Sequence, residues 1–350
     1  MPQPRVPQSA VHATNDAKVA FFHAGTTPGT SFPLRPEATA NPLPGANEAV
    51  TFQPRMHPWQ SFLLGLIEGI TEFLPISSTG HLIVAQRLMG IGTISPAEKE
   101  AADAFAICIQ GGAILAVLGL YWRHVKQMAA GLLGKDAAGF RLFMNLIAGF
   151  LPAAVIGVLF NDWIEQKLFH PWAVATACIV GGLAILAVSF WRKKHPVSGG
   201  ARELGHLTWQ LALVIGLLQC VAMWPGTSRS LMTIVGGLMV GLSVRAAVEY
   251  SFLLGVVTLT AATAKKAVWK MHHSGPDFEH WLGGAKLMWA QFGGLNLVIG
   301  IVSAMIFAAL AVKWLVGYLQ RHGLAIFGWY RIALGLLISG LAAAGVLGSA

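Results

Sequence analysis

Residues 65–82 read GLIEGITEFLPISSTGHL, and residues 216–232 read GLLQCVAMWPGTSRSLM. The first run places Glu68, Glu72, Ser77, Ser78, Thr79, Gly80 and His81 among apolar residues; the second places Thr227, Ser228, Arg229 and Ser230. Glu68 and Glu72 stand four apart, so on a helix both carboxylates share one face. Each charge costs at least about 2.5 kcal/mol to insert in hydrocarbon. The pair therefore needs a wet cavity, a cation or a proton between its members. The ISSTG turn supplies hydroxyls and free backbone N–H groups where a second half-helix can begin. Such a turn is either plain capping or an anion site, and two of them, one with an arginine, favour the anion.

His81 lies one helical turn after Ser78, where its ring can reach the Ser78 hydroxyl or a bound phosphate. It can serve as base to a serine nucleophile or attack phosphorus itself, and the sequence leaves both open. Arg229 is the only Asp, Glu, Lys or Arg in residues 207–240. Its fork of donors matches a phosphate, the plain alternative being a salt bridge to Glu68 or Glu72. The set suits metal-assisted phosphoryl transfer. Ser78, His81, Glu72 and Arg229 are the catalytic candidates. Ser77, Thr79, Gly80, Thr227, Ser228 and Ser230 are the phosphate-binding candidates, and Glu68 with Glu72 can hold a divalent cation.

The elements that must position these groups lie in a membrane. The chain has 350 residues, 55% hydrophobic and 11% charged, where a soluble domain carries roughly 25% charged residues. Stretches such as 104–122, 142–160, 172–190, 287–312 and 332–350 hold no charge and are long enough to span hydrocarbon. The net charge of +9 resides mainly in short connections: Arg123, Lys126, Lys135 and Arg141, then Arg192, Lys193, Lys194 and Arg202. That pattern orients membrane helices and excludes nucleic acid as a partner. Cys108, Cys178 and Cys220 lie in apolar segments without CxxC spacing and read as buried, unpaired thiols. Residues 1–57, rich in Pro, Ala, Thr and Asn, read as a disordered N-terminal extension to a membrane domain over 58–350.

By the positive-inside tendency, 123–141, 191–206 and 313–328 face the cytoplasm, while the 161–171 turn and both termini face outward. The 265–286 connection should face outward too, although it carries Lys265, Lys266, Lys270 and Lys286. Segments 59–90 and 207–240 are too long for one span, and each is interrupted by Pro and a Ser/Thr-rich turn. They read as re-entrant hairpins, whose break is tolerated where backbone faces a cavity or buried protein. Aligning their prolines sets Ser78 against Ser228 and Thr79 against Arg229. Three clean helices follow each hairpin. The expected fold is thus an all-α polytopic membrane protein. It has six transmembrane helices plus two re-entrant helical hairpins in an inverted-topology repeat, about 59–191 and 207–348, with the tips converging.

EGITEFLPISSTGH and PGTSRS, in this order, resemble the two signatures of the bacterial undecaprenyl-diphosphate phosphatase family of the bacitracin-resistance type. The likeness runs from about residue 59 to the C-terminus and includes IQGGAIL at 109–115 and EYSFLLG at 249–255. The resemblance implies hydrolysis of a C55 polyprenyl diphosphate lipid to its monophosphate, recycling the carrier for cell-wall synthesis. It also implies Mg2+ or Ca2+ as cofactor and a multi-pass protein of the inner membrane, with its site open to the periplasm. The family's acids map to Glu68 and Glu72, its serine and histidine to Ser78 and His81, and its arginine to Arg229. Leu231 stands where the family has glycine, and Val257 near a usual proline, which bears on substrate preference. A homodimer is compatible with the sequence. The competing reading is a transporter or flippase of polyprenyl phosphate lipids, because inverted repeats with broken helices suit alternating access. A carrier, however, needs a polar cradle but no nucleophile and base.

Overall fold

A computed structural model describes residues 56–194, 201–273 and 283–347. The extension expected over 1–57 falls almost wholly outside the described residues. Most of the described residues are helical. In chain order the helices are α1 (Pro58–Phe73), α2 (Ser78–Leu88), α3 (Pro96–Leu120), α4 (Trp122–Leu132), α5 (Ala137–Leu168) and α6 (Pro171–Lys194). A short 3-10 turn (Leu204–His206) leads into α7 (Trp209–Val221), α8 (Arg229–Met239) and α9 (Val244–His273). The chain closes with α10 (Gly283–Phe292), α11 (Gly294–His322) and α12 (Ala325–Ala343).

Among the described residues six helices are long and apolar enough to cross a membrane: α3, α5, α6, α9, α11 and α12. The remaining apolar segments are short. Helices α1, α2, α7 and α8 have 16, 11, 13 and 11 residues, below the roughly 20 that a crossing needs. Pro75 and Pro225 fall in the breaks between α1 and α2 and between α7 and α8. A prolyl ring donates no hydrogen bond and clashes with the preceding turn, so the helix ends there.

Charges proved poor markers of where helices stop. Helix α11 continues through Lys313 to His322, which shrinks the expected 313–328 connection to Gly323 and Leu324. Helix α12 starts at Ala325 and takes Arg331 into its interior. Helix α9 runs through Lys265, Lys266 and Lys270, and α5 through Asp162 and Glu165. Helical backbone bonding does not depend on side-chain charge, so a charge need not end a helix.

The short helices are held by small-residue contacts. Helix α1 lies against α11 with Gly65 facing the Gly300 backbone and Gly69 facing Ala304 and Ala308. Ser61 donates to the Asn296 carbonyl, and Ser303 to that of Phe62 (2.9 Å). Close backbone approach of this kind drives helix association where the hydrophobic effect gives little. Helix α7 meets α5 through Gly216 and Gly149, and α12 meets α6 through Gly328 and Gly182. In IQGGAIL, Gly112 lets α3 approach the Ile301 backbone of α11. A Cβ on Gly69 would stand 2.5 Å from the Ala304 carbonyl oxygen. Gly69→Val is therefore expected to separate α1 from α11 and lower the thermal midpoint in detergent by several degrees, read by a fluorescence melt.

Candidate active site

Ser77 and Ser228 cap α2 and α8 and are the only non-glycine residues with positive φ among the described residues, at 72° and 73°. Each serine Oγ accepts a hydrogen bond from the third helical residue, Gly80 N or Leu231 N, both at 3.4 Å. Such backbone conformations cost about 1–3 kcal/mol and concentrate at ligand clamps. The shared geometry makes Ser77, not Ser78, the counterpart of Ser228. Ser78 then corresponds to Arg229, and the proline-based alignment is off by one because Pro75 and Pro225 occupy different places in their turns.

The two tips meet at one carboxylate. Ser78 Oγ donates to Glu72 Oε2 at 2.7 Å, and Arg229 Nη2 donates to Glu72 Oε1 at 3.1 Å. Ser230 Oγ donates to the Leu74 carbonyl at 2.9 Å and lies 3.1 Å from Ser228 Oγ, tying the second tip to the end of α1. Arg229 Nη1 donates to the Ser251 carbonyl on α9 at 3.1 Å, and the guanidinium stands 5.4 Å from the centre of the Phe73 ring. A carboxylate between a hydroxyl and a guanidinium can take a proton from the first and is held by the second.

Glu68 sits one turn before Glu72 on α1 and is 1% exposed; its Oε2 has no hydrogen-bond partner. Arg229 Nε is likewise buried and unpartnered. A buried acceptor left unpaired is costly, so the Glu68 oxygen is suited to a proton or a cation. Among the described residues no group of three or more His, Cys, Asp or Glu could hold a metal ion. Two carboxylates completed by phosphate oxygens and water, however, match how Mg2+ is held in phosphoryl-transfer sites. The donor set fits a cation that binds together with a phosphate.

His81 takes a different place from the one its spacing suggests. Its Nδ1 lies 2.6 Å from the Ser77 carbonyl, and its Nε2 lies 2.7 Å from the Tyr330 hydroxyl. A carbonyl only accepts, so Nδ1 carries the hydrogen and Nε2 of the neutral ring accepts from Tyr330. The Tyr330 ring is parallel to it, centroids 5.6 Å apart. Of the two partners that the spacing of His81 allows, the Ser78 hydroxyl or a bound phosphate, the first is bonded to Glu72 instead. In helical geometry the Ser77 carbonyl, four residues back, captures Nδ1, while Glu72 reaches Ser78 across the turn.

The other candidates fall on the same two turns. Thr79 is the second residue of α2 and half-buried. Gly80 packs against Ile338 and Leu334 of α12, and Thr227 is buried with its N–H bonded to the Trp224 carbonyl at 3.1 Å. Leu231 is fully buried in the core with Ile234 and Leu238 rather than at the cleft.

Residue types alone missed Ser251, Gly255, Tyr330 and Arg331. EYSFLLG now has a physical purpose: Ser251 receives Arg229, and Gly255, one turn on, makes room for the guanidinium. A side chain at 255 would occupy the space of Nη1. Gly255→Val is expected to displace the guanidinium and lower turnover at this site by about 100-fold in steady-state rates, the cost of losing one preorganised donor.

The chain matches the family described as bacitracin resistance protein BacA over residues 61–337. It is 44% identical over 285 residues to undecaprenyl-diphosphatase 2 of Rhodospirillum rubrum, covering 81% of this chain and 95% of that protein. It is 42% identical over 280 residues to the undecaprenyl-diphosphatase of Sorangium cellulosum, covering 80% and 85%. To that of Ectopseudomonas mendocina it is 43% identical over 280 residues, covering 80% and 92%. Relatives over this much of both sequences, and a family match that includes both serine turns, give one conclusion: the chain belongs to the bacitracin resistance protein BacA family.

Proposed function

We propose that the protein is an integral-membrane phosphatase that hydrolyses undecaprenyl diphosphate to undecaprenyl phosphate and inorganic phosphate, returning the lipid carrier to cell-wall synthesis. The observation that carries this reading is the Ser78–Glu72–Arg229 chain at 2.7 and 3.1 Å. The terminal phosphate enters between the two serine turns, whose first amides and positive helix ends favour an anion. It competes with Glu72 for Arg229. Glu72 accepts the Ser78 proton through their hydrogen bond as Ser78 Oγ attacks the terminal phosphorus. The bond from that phosphorus to the bridging oxygen breaks, and the lipid monophosphate leaves. Water then attacks the phosphoserine phosphorus and the P–Oγ bond breaks; Glu72 returns its proton to Ser78 Oγ, takes one from the water and passes it to solvent, and phosphate departs.

Mg2+ or Ca2+ held by Glu68, Glu72 and phosphate oxygens would neutralise charge on the transferring group. Glu68→Gln is expected to raise the cation concentration for half-maximal activity by about tenfold, about 1.4 kcal/mol of cation binding. A cation titration of phosphate release measures it.

The hairpins are read as re-entrant from opposite sides, in an inverted repeat that brings both tips to one depth, with the opening toward the periplasm of a bacterial inner membrane. In support, the order of short and long helices over α1–α6 recurs over α7–α12, and the contacts α1–α11 and α5–α7 are counterparts. A carrier would need the cradle alone, whereas Ser78 bonded to Glu72 is what hydrolysis needs. The test is phosphate release from undecaprenyl or farnesyl diphosphate by purified protein, with and without chelator. Cation-dependent release is expected. Movement of lipid phosphate across vesicles without any release would favour transport instead.

A further inference from the structure

Arg331, inside α12, is 0% exposed. Its Nη2 donates to the Ala177 carbonyl on α6 (3.1 Å) and to the Gly226 carbonyl in the second turn (2.8 Å). Nε and Nη1 are buried without partners. The partners of Arg331 are both backbone carbonyls, so no carboxylate among the described residues is hydrogen-bonded to its charge. Stability is a poor reason for such a charge, since an apolar residue of similar volume is often as stable or more so at a buried ionic position. An ionisable group at membrane depth points to function.

Its surroundings say which function. The guanidinium lies on Gly181 of α6, where a Cβ would come within 2.5 Å of Nη2 and 3.1 Å of Cζ. Arg229 is accommodated in the same way on Gly255 of α9. The Gly226 carbonyl also receives the Cys178 thiol (3.6 Å), and that sulfur lies 3.7 Å from where a Cβ on Gly80 would stand. Arg331 is therefore behind both serine turns. The residue before it, Tyr330, is the one bonded to His81.

We propose that Arg331 is a second cationic positioning residue for phosphoryl transfer: through the Gly226 carbonyl it fixes the turn that bears Arg229, and its uncompensated charge stabilises the anion held between the two turns. The inference rests on the phosphatase reading above. Because Arg331 lies behind the turns, it acts on charge developing in the transition state more than on ground-state binding, and its loss should fall on kcat.

The test compares Arg331→Met, Arg331→Lys and Gly181→Ala in purified protein with farnesyl diphosphate as substrate. Arg331→Met is expected to keep the thermal midpoint and gel-filtration profile while kcat falls about 30-fold, about 2 kcal/mol, with little change in KM. Arg331→Lys restores the charge without the fork and should recover most of the loss. Gly181→Ala keeps the arginine but displaces it, and should lower kcat by more than any change in the thermal midpoint accounts for. Wild-type kcat in Arg331→Met would overturn the proposal. So would a loss that tracks a lower thermal midpoint and is not restored by lysine. No phosphate release from the unsubstituted protein would instead overturn the phosphatase reading itself.

Discussion

Ser78→Ala is expected to cut phosphate release by about 1,000-fold or more, because removing a nucleophile leaves only binding and electrostatic stabilisation. The fold should survive. Ser78 is the first residue of α2, its hydroxyl bonds only to Glu72, and the cap that holds the turn belongs to Ser77. The substitution therefore removes one hydrogen bond to a carboxylate, worth about 1.5–3 kcal/mol, and no packing. Initial rates and a thermal melt on the same preparation separate chemistry from stability. Ser77→Ala is the contrasting case: it removes the capping oxygen from a strained turn, so stability and activity should fall together.

Arg229→Lys should lower kcat/KM by about 1,000-fold, in the range associated with arginines that stabilise a transferring phosphoryl group. Lysine keeps the charge but cannot bond Glu72 and the Ser251 carbonyl at once, as the guanidinium does at 3.1 Å to each. It also cannot fork onto phosphate. Arg229→Ala is the less informative variant. It strands Glu72, whose side chain is 6% exposed, and breaking a buried pair costs about 3–5 kcal/mol in stability. With lysine, a lost rate reports geometry rather than a missing charge, and steady-state kinetics on folded protein would show it.

Much of this was readable from residue order. Five of the six spanning helices followed from uncharged runs, since hydrocarbon tolerates little else; α9 carries Arg245 and Glu249 near its start. The prolines marked the two breaks, and Glu72, Ser78 and Arg229 stood out as polar groups in apolar company. What tertiary contacts decide was not readable. Ser78 and His81 looked like a pair by spacing, but the nearer acceptor for Ser78 comes from the preceding helix and that for His81 from its own helix. The proline alignment hid the equivalence of Ser77 and Ser228, which only their matching backbone angles reveal. Arg331 looked like the edge of a span, because a burial of 0% depends on how α6 and α12 pack. Gly181 and Gly255 were silent in the sequence, as glycines that make room for a side chain from another helix must be.

The most direct measurement is a rapid acid and alkaline quench of the protein turning over a diphosphate labelled in its terminal phosphate, followed by mapping of the labelled peptide. Attack by Ser78 with Glu72 as base predicts acid-stable, alkali-labile label on the peptide carrying Ser78, absent in Ser78→Ala. Acid-labile label on His81, or full hydrolysis by Ser78→Ala, would contradict it.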